Sequence, residues 1–328
     1  MFNPKDRGRE LRGKFSERSG KGKKKPGDSK KIKFNDPEMV KMQEIYEDTK
    51  DYLRDVKQVH YVGTRFEKDT TCFSIDEMTE QFEDIDLTTY TKYKTEICVI
   101  KQDTLVTALS VYDMVEQHDD EQNILILNCA CAERPGGGVN KGRNGQEENL
   151  FRKTSYYLFI NEKTEKMFYP LKAEDMLITE RVAVVKNENH DRIPLDNVKF
   201  FDILAIASIR RPGKYTDESG EEKFSEESDE ELARHKIESI FKVGIVGGYS
   251  SLVLGAIGCN AYKNPVHTIR DIFSEMIEKY GAYFKHIYFA IRSYNDNNTY
   301  DVFKELEKVC SVTDTEQTLD LQDSIETV

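Results

Sequence analysis

Between residues 96 and 309 the sequence alternates short apolar segments with longer amphipathic ones, and this alternation restricts the possible folds more than any other feature. The apolar segments are continuous enough to be buried strands; they lie at residues 96–100, 123–128, 181–185, 201–207, 251–257 and 286–291. The amphipathic segments have helical spacing; they lie at residues 104–117, 229–243, 266–280 and 299–309. Strands that alternate with helices predict a three-layer α/β fold with a mostly parallel or mixed sheet.

A further helix is predicted ahead of the alternating region. Asp36 is a suitable N-cap, and Pro37 suits the first helical position. Apolar residues then recur at helical spacing, at Met39, Met42, Ile45 and Tyr46, and afterwards at Tyr52, Leu53 and Val56. We therefore predict that residues 36–95 form an N-terminal helical extension of a domain that spans residues 96–310.

The two ends of the chain have the composition of disordered tails. Residues 1–33 hold 13 Lys or Arg and 4 Asp or Glu, a net charge of +9. We predict that residues 1–35 are disordered, because so few apolar residues cannot offset the entropy of ordering. This tail is a solubilising or localisation segment or, alternatively, a nuclear-import or polyanion-binding arm. The acidic residues 311–328 are predicted to be a frayed tail.

The rest of the chain is strongly acidic. The net charge of −12 less the +9 of residues 1–33 leaves −21 on the remaining residues. Such a body repels nucleic acid, so direct nucleic-acid binding is expected only through the basic tail, if at all. Within a predicted insertion at residues 213–231, residues 216–231 hold nine acids and one lysine, which indicates a solvated loop.

The composition does not indicate a metal site, a disulfide framework or a membrane span. Of the six cysteines only Cys129 and Cys131 are close together, and on a strand their side chains point to opposite faces. The six histidines are scattered, so we expect no metal and no cofactor. No apolar run approaches the roughly 20 residues that cross a bilayer, and the first residues do not resemble a secretory signal. We expect an intracellular protein, cytoplasmic or nuclear.

Residues 127–157 carry the features that indicate a chemical function; they read LNCACAERPGGGVNKGRNGQEENLFRKTSYY. The segment begins at the end of a predicted strand, where ligand clefts lie in α/β sheets. Gly136, Gly137 and Gly138 allow positive φ and leave backbone amides open to a ligand. Such amides, together with the start of the following helix, suit a diphosphate. Taken alone, three glycines are also typical of a flexible turn.

Two adjacent carboxylates follow the glycines. Glu147 and Glu148 lie at a predicted helix start, where acids commonly do no more than complement the helix dipole. In a sugar-binding cleft, however, a carboxyl can protonate a departing ribose oxygen and then deprotonate the attacking water. Because adjacent residues point in different directions, we expect the two glutamates to have different roles.

The run GGGVNKGRNGQEE at residues 136–148 resembles the signature of the poly(ADP-ribose) glycohydrolases, in which three glycines and a short spacer precede Gln-Glu-Glu. The flanks are similar to the microbial-type branch of that family; the matching residues are Asn128, Ala130, Pro135, Leu150, Arg152, Ser155 and Tyr157. Residues 252–264, LVLGAIGCNAYKN, resemble the later phosphate and ribose loop of that branch, and residues 287–291, IYFAI, its final strand. The resemblance runs from roughly residue 40 to residue 308. It implies a macrodomain-like α/β/α fold with a mixed sheet.

The resemblance also implies a role for each matching residue. Glu148, the second glutamate of the signature, would be the catalytic acid and base, and Glu147 would bind hydroxyls of the released ribose. The implied substrate-binding residues are Asn128, Gly136, Gly137, Gly138, Gln146, Gly258, Cys259, Asn260, Ala261, Tyr262 and Phe289. The glycine loop would wrap the distal ribose and the diphosphate, the later loop would supply backbone amides from the other side, and Tyr262 would lie over the distal ribose.

Two residues depart from the family pattern as we interpret it. Asn260 stands where the later loop usually has a second glycine. Asparagine tolerates a left-handed backbone better than other non-glycine residues, but its Cβ would approach the phosphates. Tyr262 stands in place of a usual phenylalanine, which keeps the ring and adds a hydroxyl. Neither change affects the proton-transfer residue, so we expect activity with altered affinity.

Other residues near the site have weaker functional interpretations. Asn128, at a strand end, either reaches a ribose hydroxyl or caps a turn. A nucleophilic thiol among Cys129, Cys131 and Cys259 is disfavoured, because no histidine lies near them in the sequence. The pair formed by residues 210 and 211, both arginines, indicates a surface ion pair more than a phosphate contact.

The resemblance implies hydrolysis of ribose–ribose O-glycosidic bonds in poly(ADP-ribose), with release of ADP-ribose. The expected partners are the polymer or ADP-ribosylated proteins. Two alternatives remain from the sequence. One is a hydrolase that removes single ADP-ribose units, and the other is a non-catalytic macrodomain module that binds ADP-ribose. The intact Gln-Glu-Glu disfavours the second.

Overall fold

A computed structural model of the protein describes residues 36–58, 70–117, 123–161, 164–292 and 298–308. Its helices are α1 (Pro37–Gln58), α2 (Ile75–Glu83), α3 (Thr104–Gln117), α4 (Gln146–Lys153), α5 (Tyr156–Phe159), α6 (Glu165–Phe168), α7 (Glu227–Val246), α8 (Val266–Tyr280) and α9 (Thr299–Lys304). Its strands are β1 (Thr70–Ser74), β2 (Glu96–Ile100), β3 (Ile124–Cys129), β4 (Asp175–Ala183), β5 (Phe200–Ile206), β6 (Lys214–Thr216), β7 (Glu222–Phe224), β8 (Ser251–Leu254) and β9 (His286–Ala290). The predicted disordered tails lie outside the described residues. Within those residues, no helix is long and apolar enough to cross a membrane.

Seven of these strands form one mixed sheet in the order β1-β4-β5-β3-β8-β9-β2. Strands β5, β3, β8, β9 and β2 run parallel, whereas β4 is antiparallel to both β5 and β1. The carboxyl ends of the parallel strands therefore meet at one edge of the sheet. The loops that follow β3, β5 and β8 lie at this edge, where the ligand cleft of an α/β sheet is expected.

The apolar runs of the sequence become strands that are buried on both faces. In β3, Leu125 and Leu127 pack in the cluster that contains α7 and α8, and Ile124 and Ile126 pack in the cluster that contains α3 and α4. Because alternate side chains of one strand enter two different helical layers, the sheet lies between them. The predicted three-layer α/β fold with a mixed sheet is confirmed.

Residues 36–95 are more closely joined to the domain than the predicted helical extension implied. Helix α1 packs on α4, and β1 is an edge strand of the main sheet, paired with β4. Helix α2 starts at a capping box formed by Ser74 and Glu77, and it packs on α7. The sequence did not reveal β1 because its pattern of burial is that of a partly exposed edge.

Two further sequence predictions need correction. The strand predicted at residues 181–185 begins at Asp175 and ends at Ala183, with a change of register between Thr179 and Val182. Residues 213–231 are not a plain loop, because β6 and β7 pair there as an antiparallel hairpin and α7 begins at Glu227. The charges of the hairpin lie on exposed or half-buried side chains, which explains why its sequence has no apolar strand pattern.

Candidate active site

The glycine loop connects the carboxyl end of β3 to the start of α4. Gly136 and Gly137 have φ of +68° and +53°, the left-handed region that glycine adopts without strain. Gly138 has negative φ, but a Cβ there would lie 2.4 Å from Cγ of Arg143. The three glycines are therefore required by the geometry of the turn and by close contact, which a flexible linker would not need.

Glu147 lies beneath this loop and is only 4% exposed. Its Oε2 accepts a hydrogen bond of 2.9 Å from the backbone N–H of Cys131, and its Oε1 accepts one of 3.2 Å from that of Gly136. Burial raises the pKa of Glu147 well above the usual range, and these two amides oppose that effect only in part. The carboxyl group of Glu147 thus holds the glycine loop in position.

Glu148 is half-buried and lies closer to solvent. Its Oε1 accepts a hydrogen bond of 2.9 Å from the N–H of Gly138. A Cβ on Gly137 would lie 2.9 Å from both Oε1 of Glu148 and Oε2 of Glu147. Both carboxyl groups therefore border the same stretch of glycine backbone, but only Glu148 combines that position with access to solvent. The two glutamates therefore differ in burial and in their hydrogen-bond partners.

Gln146 holds the start of α4 against the end of β3. Its Nε2 donates to the carbonyl of Leu127 at 2.7 Å, and its Oε1 accepts from the N–H of Cys129 at 3.0 Å. Both ends of the amide are thus engaged with strand backbone. We interpret Gln146 as a residue that positions the glutamate pair, in place of the substrate contact expected from the sequence.

Asn128 lies in the protein interior, close to Glu147. Its side chain is 0% exposed, and neither its amide nitrogen nor its amide oxygen has a hydrogen-bond partner of good geometry among the described residues. Asn128 therefore does not cap a turn. It is still close enough to Glu147 to lower the pKa of that carboxyl, against the larger effect of burial. The hydroxyl of Tyr156 is buried in the same region and likewise lacks a partner there.

The loop after β8 lies beside the glycine loop, because β8 is a parallel neighbour of β3 in the sheet. Gly258 has φ of +77°, and a Cβ there would lie 2.7 Å from both Ser208 and Asn264. Among the described residues, the backbone N–H groups of Gly258, Asn260 and Ala261 donate to no acceptor. The N–H of Cys259 differs from the expectation, because it donates to the carbonyl of Ala256 at 3.2 Å. The loop therefore presents three of the four expected amides.

Asn260 and Tyr262 differ in how they enter the site. Asn260 is exposed and does not have positive φ, so the anticipated left-handed strain is absent at this position. Tyr262 is half-buried, and its hydroxyl lies beside the thiol of Cys131 and the backbone of Ala132. Burial raises the pKa of Tyr262 above its usual value. Tyr262 thus connects the loop after β8 to the glycine loop, near Glu147.

Two of the cysteines near the site, Cys129 and Cys259, are poor nucleophiles. Cys259 is 3% exposed, and burial raises the pKa of its thiol. Burial also raises the pKa of Cys129 to about 12. A thiolate is the reactive form, so neither group is activated. Among the described residues, no three His, Cys, Asp or Glu side chains are placed to hold a metal ion.

Phe289 does not reach the cleft. It is 0% exposed and packs edge-on against Phe273 and Phe303, at centroid distances of 5.0 and 5.7 Å. Its expected role in substrate binding is therefore not supported, because the ring belongs to the core under α8 and α9. Arg210 does form the expected surface ion pair, with Glu133 at 2.5 Å.

Two features beside the site were not given a role from the sequence, although Arg152 was named among the residues that match the family. Asp103 follows β2, caps α3 at Leu105, and accepts hydrogen bonds from Asn149 at 2.7 Å and from Arg292 at 3.4 Å. An aspartate between a strand and a helix is a recognisable N-cap signal, which could have located it. Arg152, fully buried on α4, joins α4 to α1, and no local pattern in the sequence indicates this long-range contact.

Residues 33–185 match the family described as the microbial-type PARG, catalytic domain. This segment contains the glycine loop, both glutamates and α1. The resemblance stated from the sequence motifs is confirmed by this match. None of the curated proteins matches the chain.

Solved structures with the same fold include several poly(ADP-ribose) glycohydrolases. The enzyme from Deinococcus radiodurans in complex with ADP-ribose has a TM-score of 0.63 and 18% identity, over 76% of this chain and 98% of that one. The enzyme from Thermomonospora curvata bound to the inhibitor ADP-HPD has a TM-score of 0.62 and 18% identity, over 80% of this chain and 98% of that one. At this identity the likeness establishes the fold, and the chain spans nearly the full length of these neighbours.

Proposed function

We propose that this chain, which matches the microbial-type PARG catalytic domain over residues 33–185, hydrolyses ribose–ribose O-glycosidic bonds of poly(ADP-ribose) and releases ADP-ribose. The observation that carries the proposal is the position of Glu148. It is a half-buried carboxyl at a helix start, held by the N–H of Gly138 at the edge of a loop whose shape requires glycine. The neighbours with solved structures add support, since one holds ADP-ribose and another an inhibitor.

The two loops at the end of the sheet supply the binding groups. Among the described residues, the amides of Gly258, Asn260 and Ala261 have no acceptor, and backbone amides of this kind bind phosphate oxygens without a charged side chain. This arrangement suits an acidic protein, because the polyanion is recognised locally while the rest of the surface repels it. Tyr262 covers the distal ribose, close to Glu147. The domain that carries these groups includes α1, α2 and β1, since β1 is a strand of its sheet.

Glu148 performs both proton transfers. Its carboxyl protonates the departing ribose oxygen as an oxocarbenium-like transition state develops, and the resulting carboxylate then accepts a proton from the attacking water. Glu147, buried and held by two amides, orients hydroxyls of the released ribose and keeps the loop in place. Binding of the diphosphate fixes the sugar relative to Glu148, so orientation accounts for much of the expected acceleration.

The test is release of ADP-ribose from automodified poly(ADP-ribose) polymerase by the wild type and by Glu148→Gln. We expect release by the wild type and at least about a 100-fold loss in the variant, because glutamine transfers no proton. Glu230→Gln serves as the matched control, since Glu230 is also a half-buried acid in the first turn of a helix, α7, and lies outside both loops. Near-normal turnover by Glu148→Gln would contradict the assigned role.

The substrate class is tested with the same proteins. A wild type that leaves the polymer intact but removes single ADP-ribose units from modified protein would be a mono-ADP-ribosyl hydrolase. A wild type that binds ADP-ribose in calorimetry and hydrolyses neither substrate would be a binding module. Each result would replace the proposed polymer hydrolysis.

A further inference from the structure

Arg152 is a fully buried cation near the end of α4, the helix whose first residues include both glutamates. Its Nε donates to the carbonyl of Met42 in α1 at 3.1 Å. Its Nη1 donates to Oδ1 of Asn144 at 3.5 Å, and its Nη2 donates to the carbonyl of Arg143. The planar guanidinium thus contacts α1 on one side and the residues just before α4 on the other.

The residues just before α4, 143–145, lie next to the side chain of Glu148. The N–H of Arg143 donates to the carbonyl of Gly138 at 3.2 Å, and the N–H of Gly138 donates to Glu148. A Cβ on Gly145 would lie 2.3 Å from Oε2 of Glu148, so backbone at this position touches the carboxyl directly. A displacement of residues 143–145 therefore displaces the Glu148 carboxyl.

Helix α1 makes further contacts with the same loop. The side chain of Gln43 donates to the carbonyl of Asn140 at 2.9 Å, and the hydroxyl of Thr49 donates to the carbonyl of Arg152 at 2.5 Å. Gly142 has φ of +68°, and a Cβ there would lie only 2.0 Å from the carbonyl oxygen of Met39. The backbone of α1 is thus in direct contact with the loop that leads to α4.

We infer that Arg152 is a positioning residue for Glu148, and that it acts by holding residues 143–145 between α1 and α4. This inference rests on the proposed glycohydrolase function. Helix α1 then supports the catalytic site through its contacts with the loop before α4 and with α4 itself. The family match begins at residue 33 and so includes α1.

The test compares Arg152→Lys with Arg192→Lys. Lysine keeps the charge but loses the fork that contacts α1 and residues 143–144 together. Arg192 is a matched control, because it also joins α1 to the domain, through Asp48 at 2.6 Å, but it does so further along the helix. The measurements are kcat and KM for release of ADP-ribose, Kd for ADP-ribose by calorimetry, Tm, and amide hydrogen exchange of residues 136–148.

We expect Arg152→Lys to lower kcat by between about tenfold and 100-fold. Its Kd for ADP-ribose should remain within about threefold of the wild-type value, a free-energy change below about 0.7 kcal/mol. Exchange should accelerate in residues 136–148 and stay unchanged in β3 and β5. Arg192→Lys should match the wild type in kcat. If Arg152→Lys keeps the wild-type kcat and the wild-type hydrogen exchange, the inference is overturned. It is also overturned if Arg152→Lys raises the Kd for ADP-ribose and lowers Tm together, because Arg152 would then have only a structural role.

A second variant covers the case in which Arg152→Lys does not fold. Gly142→Ala leaves the guanidinium group of Arg152 intact. It disturbs the same contact between α1 and the loop before α4, because the new Cβ would clash with the carbonyl oxygen of Met39. We expect the same loss of kcat and the same faster exchange, and wild-type values for both would overturn the inference. Failure of the proposed function has a different outcome: the wild type itself would release no ADP-ribose, and hydrogen exchange would still decide whether Arg152 orders the loop.

Discussion

The backbone N–H of Gly138 donates a hydrogen bond of 2.9 Å to Oε1 of Glu148. The carboxyl proposed to transfer protons is therefore held by the loop proposed to bind the substrate. One consequence is that a change in the loop backbone acts on catalysis through the position of Glu148, even where binding is preserved. Another is that the direct hydrogen bond that orients the acid comes from a backbone amide.

Gly137→Ala tests this coupling. The new Cβ would lie 2.9 Å from a carboxyl oxygen of both Glu147 and Glu148, on a residue with φ of +53°. We expect at least about a tenfold loss of kcat, because a small displacement of a reacting group is costly. The left-handed backbone adds roughly 1–2 kcal/mol of destabilisation. Steady-state kinetics and chemical unfolding measure the two effects.

Gly248→Ala is the matched control for that variant. Gly248 has φ of +69°, and nothing lies within 4 Å of the Cβ that alanine would add. It should therefore lose a similar amount of stability and keep wild-type kcat. Equal losses of kcat in both variants would mean that strain alone, and not contact with the carboxyl groups, explains the effect of Gly137→Ala.

The buried Glu147 predicts a specific dependence of stability on pH. Burial raises its pKa in the folded state, so above about pH 4 the folded protein retains a proton that the unfolded chain has released. The free energy of unfolding should fall as the pH rises through this window, until the folded-state pKa is passed. Glu147→Gln removes this contribution, so its stability relative to the wild type should improve with rising pH.

Urea unfolding of wild type and Glu147→Gln between about pH 5 and pH 8 measures this difference. Glu218→Gln, which changes an exposed acid in the turn between β6 and β7, controls for the loss of one negative charge. A difference between wild type and Glu147→Gln that stays constant across the range would mean that the pKa of Glu147 is not raised.

Much of the fold and the central part of the site could be predicted from the sequence. Helices α3 and α8 begin and end where the sequence predicted, because their apolar residues recur at helical spacing against a continuous core. The glutamate pair and the glycine loop were located because the signature is contiguous. Strand β1 and the hairpin of β6 and β7 were missed, because partly exposed and charged strands have no apolar alternation to recognise.

The remaining parts of the site depend on contacts between distant residues. Arg152 lies 110 positions from Met42, and Gln146 lies 19 positions from Leu127, so neither hydrogen bond has a local sequence pattern. Phe289 was misassigned for a similar reason. Its strand does end at the site, but its own side chain points into the opposite layer, toward Phe273 and Phe303.

Phe289→Leu should separate packing from binding. Loss of two aromatic contacts and of buried volume should lower the free energy of unfolding by about 1–3 kcal/mol. The Kd for ADP-ribose, measured by calorimetry well below Tm, should stay at the wild-type value, since the ring is 0% exposed. A large loss of affinity without a loss of stability would restore Phe289 to the binding site.

Asn260→Gly restores the glycine expected from the family pattern. Because Asn260 does not have positive φ, the substitution relieves no backbone strain. We therefore expect the Kd for ADP-ribose to change by less than about threefold, with a slight weakening as the loop gains backbone freedom. Binding that tightens about tenfold would instead indicate that the asparagine side chain obstructs the phosphates.

Gln146→Glu and Gln146→Met distinguish two parts of the contact between α4 and β3. Glutamate can still accept from the N–H of Cys129 but cannot donate to the carbonyl of Leu127, and it places a negative charge against that oxygen. Methionine loses both hydrogen bonds and adds no charge. We expect Gln146→Met to lower the free energy of unfolding by about 1–3 kcal/mol, because the carbonyl of Leu127 loses its hydrogen bond from Gln146. Gln146→Glu should lower it further, because a carboxylate also repels that carbonyl oxygen.

Both substitutions should lower kcat more than they raise KM, since Gln146 positions the glutamates that follow it. Wild-type KM and kcat in Gln146→Met would show that the other contacts of α4 suffice, whereas a rise of KM alone would return Gln146 to the substrate-binding residues.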